Sequence, residues 1–189
     1  MSEPGSVGRD EGVRLFLALR LPDSVCHDLD QWGREHLHGG RHVAREHLHV
    51  TLAFLGRQPP TGVAHALRAL RAACAAAPAF PLAPVRWRET RSVGMVVLSD
   101  ETGAACRLAQ DVHTRLEAVG VYRREKRPWL PHVTVLRFRE RPRLDPPLPG
   151  TGTFVPSDAA AFLSHLHPSG ARYEVLESMA LGGSIDESR

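Results

Sequence analysis

Apolar residues recur along this chain with two periods. In Leu48–Leu55 every second position is apolar: Leu48, Val50, Leu52 and Phe54 fall on one side, His49, Thr51 and Ala53 on the other. Such alternation predicts a β-strand with one buried face. Trp129–Arg137 predicts a second, in which Val133 and Val135 oppose His132 and Thr134. Further strands are expected at Val13–Leu19, Phe80–Arg86, Ser92–Ser99, Ala159–His167 and Arg172–Leu181. A turn at Pro168-Ser169-Gly170 joins the last two.

The second period is helical. Val25, Leu29, Trp32 and His36 follow it after a cap at Asp23 or Ser24. Val63, Leu67, Leu70 and Cys74 form a stripe behind a possible cap at Thr61. Leu108, Val112, Leu116 and Val119 mark a third helix, over about 103–119, which Gly120 ends. GRQPPT (56–61) reads as a loop, and RERPRLDPPLPG (139–150) as a proline-rich loop.

One phrase occurs twice. His49-Val50-Thr51 and His132-Val133-Thr134 both lie in strands, and each of these strands follows a helix. By alternation, each buries its valines and presents His-x-Thr on the opposite face. Two such matches in strand-like runs arise by chance in roughly one such chain in a thousand. The halves they define imply a bilobal, pseudo-symmetric α+β fold. Two antiparallel-rich sheets would surround a central cleft, with helices packed outside. A single domain is expected over residues 13–182, with disordered tails at 1–12 and 183–189.

Composition narrows the setting. The 189 residues are 42% hydrophobic and carry a formal charge of +3, which suits a phosphate-bearing ligand without demanding nucleic acid. Cys26, Cys74 and Cys106 are too few and too scattered for a disulfide framework or a zinc knuckle. No signal peptide or membrane-spanning run is apparent, so a cytoplasmic protein is expected, and nothing demands more than a monomer. No P-loop, G-x-G-x-x-G or G-x-S-x-G motif supports a triphosphatase, dinucleotide or acyl-hydrolase reading.

Chemistry concentrates on the repeat. Two converging histidines can supply a general base and a general acid to one reaction, and threonine hydroxyls can hold an anion beside them. His27, His36, His38, His65 and His113 lie on helices or at their ends and read as solvated. His165 and His167 share a strand face but lack a nearby Asp, Glu or Cys to complete a metal site, so no metal is expected. Arginines crowd the second motif, and a phosphate-attracting rim is plausible there. By strict alternation Arg137 faces away from His132. It reaches the site only if the strand bulges or ends there.

The segments RLFLALRLP, REHLHVTLAFLG, RPWLPHVTVLRF and SHLHPSGARYEVLESMAL together resemble the two-histidine phosphoesterases, specifically the RNA 2′,3′-cyclic phosphodiesterases also called 2′-5′ RNA ligases. The resemblance runs from about Arg14 to Leu181. It implies a bilobal fold with both His-x-Thr strands lining one cleft. It also implies metal-independent and cofactor-free hydrolysis of RNA 2′,3′-cyclic phosphate ends to 2′-phosphomonoesters. His49 would act as general acid toward O3′ and His132 as general base for water, with Thr51, Thr134 and Arg137 binding the phosphate. The family often carries an aromatic near position 42 and Asn near 47, where this chain has His42 and His47. Two other functions fit the same residues. One is binding or reversible 2′-5′ ligation of RNA ends with little hydrolysis. The other is hydrolysis of a small cyclic nucleotide or an ADP-ribose cyclic phosphate.

Overall fold

A computed structural model describes residues 12–167 and 170–182. The expected tails, apart from Gly12, and the turn residues Pro168 and Ser169 lie outside the described residues. The strands are β1 (Val13–Arg20), β2 (Arg41–His42), β3 (His49–Gln58), β4 (Ala83–Glu89), β5 (Val93–Ser99), β6 (His132–Arg137), β7 (Asp158–His167) and β8 (Gly170–Met179). The helices are α1 (Asp23–His36), α2 (Pro60–Ala76) and α3 (Ala104–Ala118), and Arg45–His47 forms one 3₁₀ turn. None of the described helices is long and apolar enough to cross a membrane.

The strands pair antiparallel in the order β4-β5-β6-β3-β1-β7-β8, with β2 added to β6. The two expected antiparallel units are present, and they are fused at a narrow seam. β3 and β6 meet at one residue pair only, Val50 and Val133. Beyond it they diverge. On one side β2 takes over the edge of β6, pairing His42 with Leu136 and Arg41 with Arg137. On the other side the Trp129 indole N–H donates to the Thr51 carbonyl at 2.9 Å, replacing a lost ladder bond. The sheet is therefore continuous in hydrogen bonding yet splayed where the two motifs face each other.

All three helices bury their apolar stripes on the sheet face that carries Val50, Leu52, Val133 and Val135. Val25, Leu29 and Trp32 of α1 join this core, as do Ala66, Leu70 and Cys74 of α2 and Leu108, Val112 and Leu116 of α3. A second, small apolar cluster lies on the other face, formed by Phe16, Ala18, Ala160 and Phe162 with Tyr173 against them. The helix starts differ from expectation. α1 follows Pro22 and α2 follows Pro59, without a side-chain cap, so neither Asp23, Ser24 nor Thr61 caps. A fixed proline φ already suits the entry to a helix. Gly120 does close α3, at φ 71°.

Three other expectations are corrected. His113 is not solvated: it lies on the inward stripe of α3, 6% exposed, with its Nε2 2.8 Å from the Leu52 carbonyl. Phe80–Arg86 is not one strand, because Pro81 and Pro84 delay regular pairing, and β4 starts at Ala83 and runs on to Glu89. Leu82 instead makes an isolated bridge to Phe154. Gly56, Arg57 and Gln58 belong to β3 rather than to a loop, with Gly56 at φ 68° relieving a bulge.

Bulges also decide the motif faces. In β3 the partners of Leu17 and Ala18 are Ala53 and Thr51, so Leu52 is an extra residue. In β6 the partners of Gly94 and Met95 are Leu136 and Thr134, so Val135 is extra. Each bulge buries two successive residues, Leu52-Ala53 and Val135-Leu136, and then inverts the alternation. Phe54, expected on the core face, is instead 52% exposed on the motif face.

Candidate active site

His49, Thr51, His132, Thr134 and Arg137 all line one cleft of about 840 Å³ at the seam. The bulge in β6 turns Arg137 into it. The bulge in β3 does the same for Phe54. Both are the fifth residue after their histidine. Val50 and Val133 are directly opposed, and the two histidines flank this pair, one on each strand.

Each imidazole is oriented by its own strand. His49 Nδ1 lies 2.7 Å from the His47 carbonyl, and His132 Nδ1 lies 2.8 Å from the Leu130 carbonyl. A carbonyl only accepts, so both Nδ1 atoms carry hydrogen and donate. This fixes the tautomer and leaves Nε2 as the unprotonated nitrogen of the neutral ring. His49 Nε2 is 3.1 Å from Thr51 Oγ1, and with Nδ1 protonated the hydroxyl donates to it.

Burial holds the His49 imidazole at about 4, below its ordinary 6.5. The bond to the His47 carbonyl opposes this, while the positive charges of Arg137, His132 and His47 reinforce it. His49 is therefore neutral at neutral pH. Its burial has a visible source. The Phe16 ring lies 5.0 Å from it, Tyr173 5.7 Å and Phe162 6.1 Å, centroid to centroid.

Apart from Val43, Ala44, Glu46, Ser164 and Ala171, the rest of the lining is basic or aromatic. Arg14 lies 5.6 Å over the Phe54 ring. Arg41 and Arg172 also line the cleft, and among the described residues Glu46 is its one carboxylate. Tyr173 packs 4.6 Å from His47, closing one end. His42 lines the cleft too, but its Nε2 is engaged 3.1 Å from the Leu37 carbonyl. Sequence reasoning missed Phe54, Arg14 and Tyr173. For Phe54 a signal was present: Leu-Ala-Phe after His-Val-Thr parallels Val-Leu-Arg after the second His-Val-Thr. For Arg14 and Tyr173 there was none, because each enters through strands far from the motifs in sequence.

His165 is away from this centre and meets Glu174 at 3.3 Å. Among the described residues no group of three or more His, Cys, Asp or Glu is arranged to hold a metal ion. The described cysteines are free, with Cys26 and Cys74 buried.

The fold, though not yet the role of the site, can be set beside known proteins. Residues 21–151 match the family model of the 2′-5′ RNA ligase superfamily, and the chain belongs to that superfamily. It is 27% identical over 176 residues to an RNA 2′,3′-cyclic phosphodiesterase of Escherichia coli K12, covering 90% of this chain and 98% of the relative. The crystal structure of E. coli LigT in its apo form superposes with a TM-score of 0.78 at 25% identity, over 92% of this chain and 99% of LigT. The crystal structure of TT0787 of Thermus thermophilus superposes with a TM-score of 0.75 at 28% identity, over 90% and 99% of the two chains. The protein is thus an enzyme of the phosphodiesterase/ligase type.

Proposed function

We propose that the protein opens RNA 2′,3′-cyclic phosphate ends to 2′-phosphomonoesters by two-histidine acid–base catalysis. The observation that carries this reading is the matched pair of imidazoles in one cationic cleft, each with Nδ1 committed and Nε2 left for proton transfer. Water attacks phosphorus, the P–O3′ bond breaks, O3′ takes up a proton, and the phosphate stays on O2′. The reaction needs one proton acceptor and one proton donor, and histidine serves both near neutral pH.

Because His49 is neutral with Nε2 unprotonated, we assign it as the base that removes the water proton, the Thr51 hydroxyl turning from Nε2 to the phosphate as the substrate enters. His132 is then the acid that protonates O3′. This is the reverse of the order expected from the sequence. Solvent exchange returns both imidazoles to their starting states after each turnover. Thr51, Thr134 and Arg137 hold the phosphoryl oxygens as negative charge grows on them. Phe54 and the Arg14 guanidinium above it form a platform for the terminal base.

The deciding experiment is hydrolysis of an oligonucleotide bearing a 2′,3′-cyclic phosphate, with the product phosphate located by NMR. A 2′-phosphate formed at a rate unchanged by EDTA is expected. A 3′-phosphate product, or full turnover in His49→Ala or His132→Ala, would sink the reading. Joining of RNA ends without net hydrolysis would favour ligation instead.

A further inference from the structure

The cross-strand pairs that build the cleft also lead out of it. His132 pairs with Val97, and Val97 with Arg86. Thr134 pairs with Met95, and Met95 with Arg88. Opposed residues of an antiparallel ladder share a face. Arg86 and Arg88 therefore stand on the same side of the sheet as His132 and Thr134, two strands and about 10 Å away. Trp87 between them turns to the opposite side, where its ring meets Trp32 of α1 at 6.0 Å. Val96 and Leu98 follow it into the helix-side core. Met95 and Val97, both buried, lie on the motif face between the site and the two arginines.

Both arginines are exposed, and among the described residues neither meets a carboxylate. Two guanidiniums two residues apart on one strand face repel each other until an anion arrives. β4 is also the outermost strand on this side, so nothing in the sheet lies beyond them. Charge on an edge strand can serve to block pairing with another chain, but that role does not require one particular face. Here both charges are aimed along the face that holds the site. They do not line the cleft itself, so a mononucleotide held between the imidazoles leaves them unoccupied.

We propose that Arg86 and Arg88 bind the backbone phosphates of an RNA strand whose cyclic end lies between His49 and His132, which makes oligonucleotides rather than mononucleotides the preferred substrates. The inference rests on the function proposed above. It would make β4 and β5 a second binding surface, with Met95 and Val97 beneath the strand and the guanidiniums along it.

The double variant R86Q/R88Q tests it, with Arg34→Gln on the helix side as a charge control. On a decamer ending in a cyclic phosphate, the double variant should raise KM about tenfold and flatten its salt dependence by about one to two log–log units. On a 2′,3′-cyclic mononucleotide both variants should match the wild type. An unchanged decamer KM, or an equal rise in Arg34→Gln, overturns the proposal. Anisotropy of a fluorescent decamer with a 3′-phosphate end gives a readout without turnover. About tenfold weaker binding in the double variant supports the strip, and equal binding overturns it. Loss of hydrolysis on every substrate by the wild type would instead overturn the function, and the binding arm would still decide the arginines. Equal RNA binding with new self-association would assign the pair to edge protection.

Discussion

Along His49–Phe54 and His132–Arg137 exposure follows one order. It is a half-buried histidine, a buried valine, a half-buried threonine, two buried residues and an exposed one. The two strands share a motif, a bulge and a way of orienting the imidazole. They differ at the exposed position and in the strands beside them. Phe54 stands with Phe16, Phe162 and Tyr173, whereas Arg137 stands across the seam with Arg86 and Arg88 farther out. One half offers ring faces with Arg14 and Arg172 beside them, and the other offers positive charge without Phe or Tyr rings in the cleft lining. A nucleotide needs both, since its base stacks and its phosphate carries charge. A repeated scaffold can thus present two matched imidazoles while its walls differ in what they offer a ligand.

The division can be tested from its strongest element outward. His49→Ala and His132→Ala should each lower kcat/KM about a thousandfold, measured as initial rates on a cyclic-phosphate RNA. If one variant alone is impaired, the two strands are not equivalent proton carriers. His49 makes a further difference between the halves, visible without substrate. Its folded value of about 4 lies below the ordinary 6.5, so the unfolded chain binds more protons between these limits. Stability should therefore fall by about 3 kcal/mol as pH drops from about 6.5 to about 4, on top of the general acid response. Urea melts across that range should lose this component in His49→Gln.

Arg137→Gln should lower kcat about a hundredfold, because the charge it supplies is needed most as the phosphoryl oxygens become negative. Phe54→Ala should raise KM about tenfold and leave kcat within about threefold, as expected for a stacking contact. Its thermal midpoint should stay near that of the wild type, since the ring is already half exposed. If instead Phe54→Ala reduces kcat and Arg137→Gln reduces only affinity, the assignment of the two walls is inverted.

What was legible in the sequence was what local periodicity encodes. Alternation located both motif strands, and helical spacing located α1, α2 and α3 to within a few residues. The paired His-x-Thr was visible because strand parity is a local rule. Bulges are not local: Leu52 and Val135 are extra only relative to partners in β1 and β5. Strict alternation therefore buried Phe54 and turned Arg137 away, and the same kind of inversion corrects both. His113 failed for a related reason. Its helix position was legible, but the Leu52 carbonyl that engages it belongs to the bulged strand. The narrow seam was also beyond reach, since the departure of β3 from β6 depends on β2, a two-residue strand without any periodicity.

The Nδ1 bonds of the two histidines have a consequence for how such a site can arise. Each ring is held by the carbonyl two residues upstream on its own chain segment. In a catalytic triad the imidazole depends on a carboxylate that is distant in sequence, and the two must be assembled together. Here the orienting partner travels with the histidine. A short stretch of strand is a self-contained module, complete with a fixed tautomer and a neighbouring hydroxyl. Copying that stretch copies an oriented imidazole with its hydroxyl neighbour, and bringing two copies into one cleft requires only that their strands meet once.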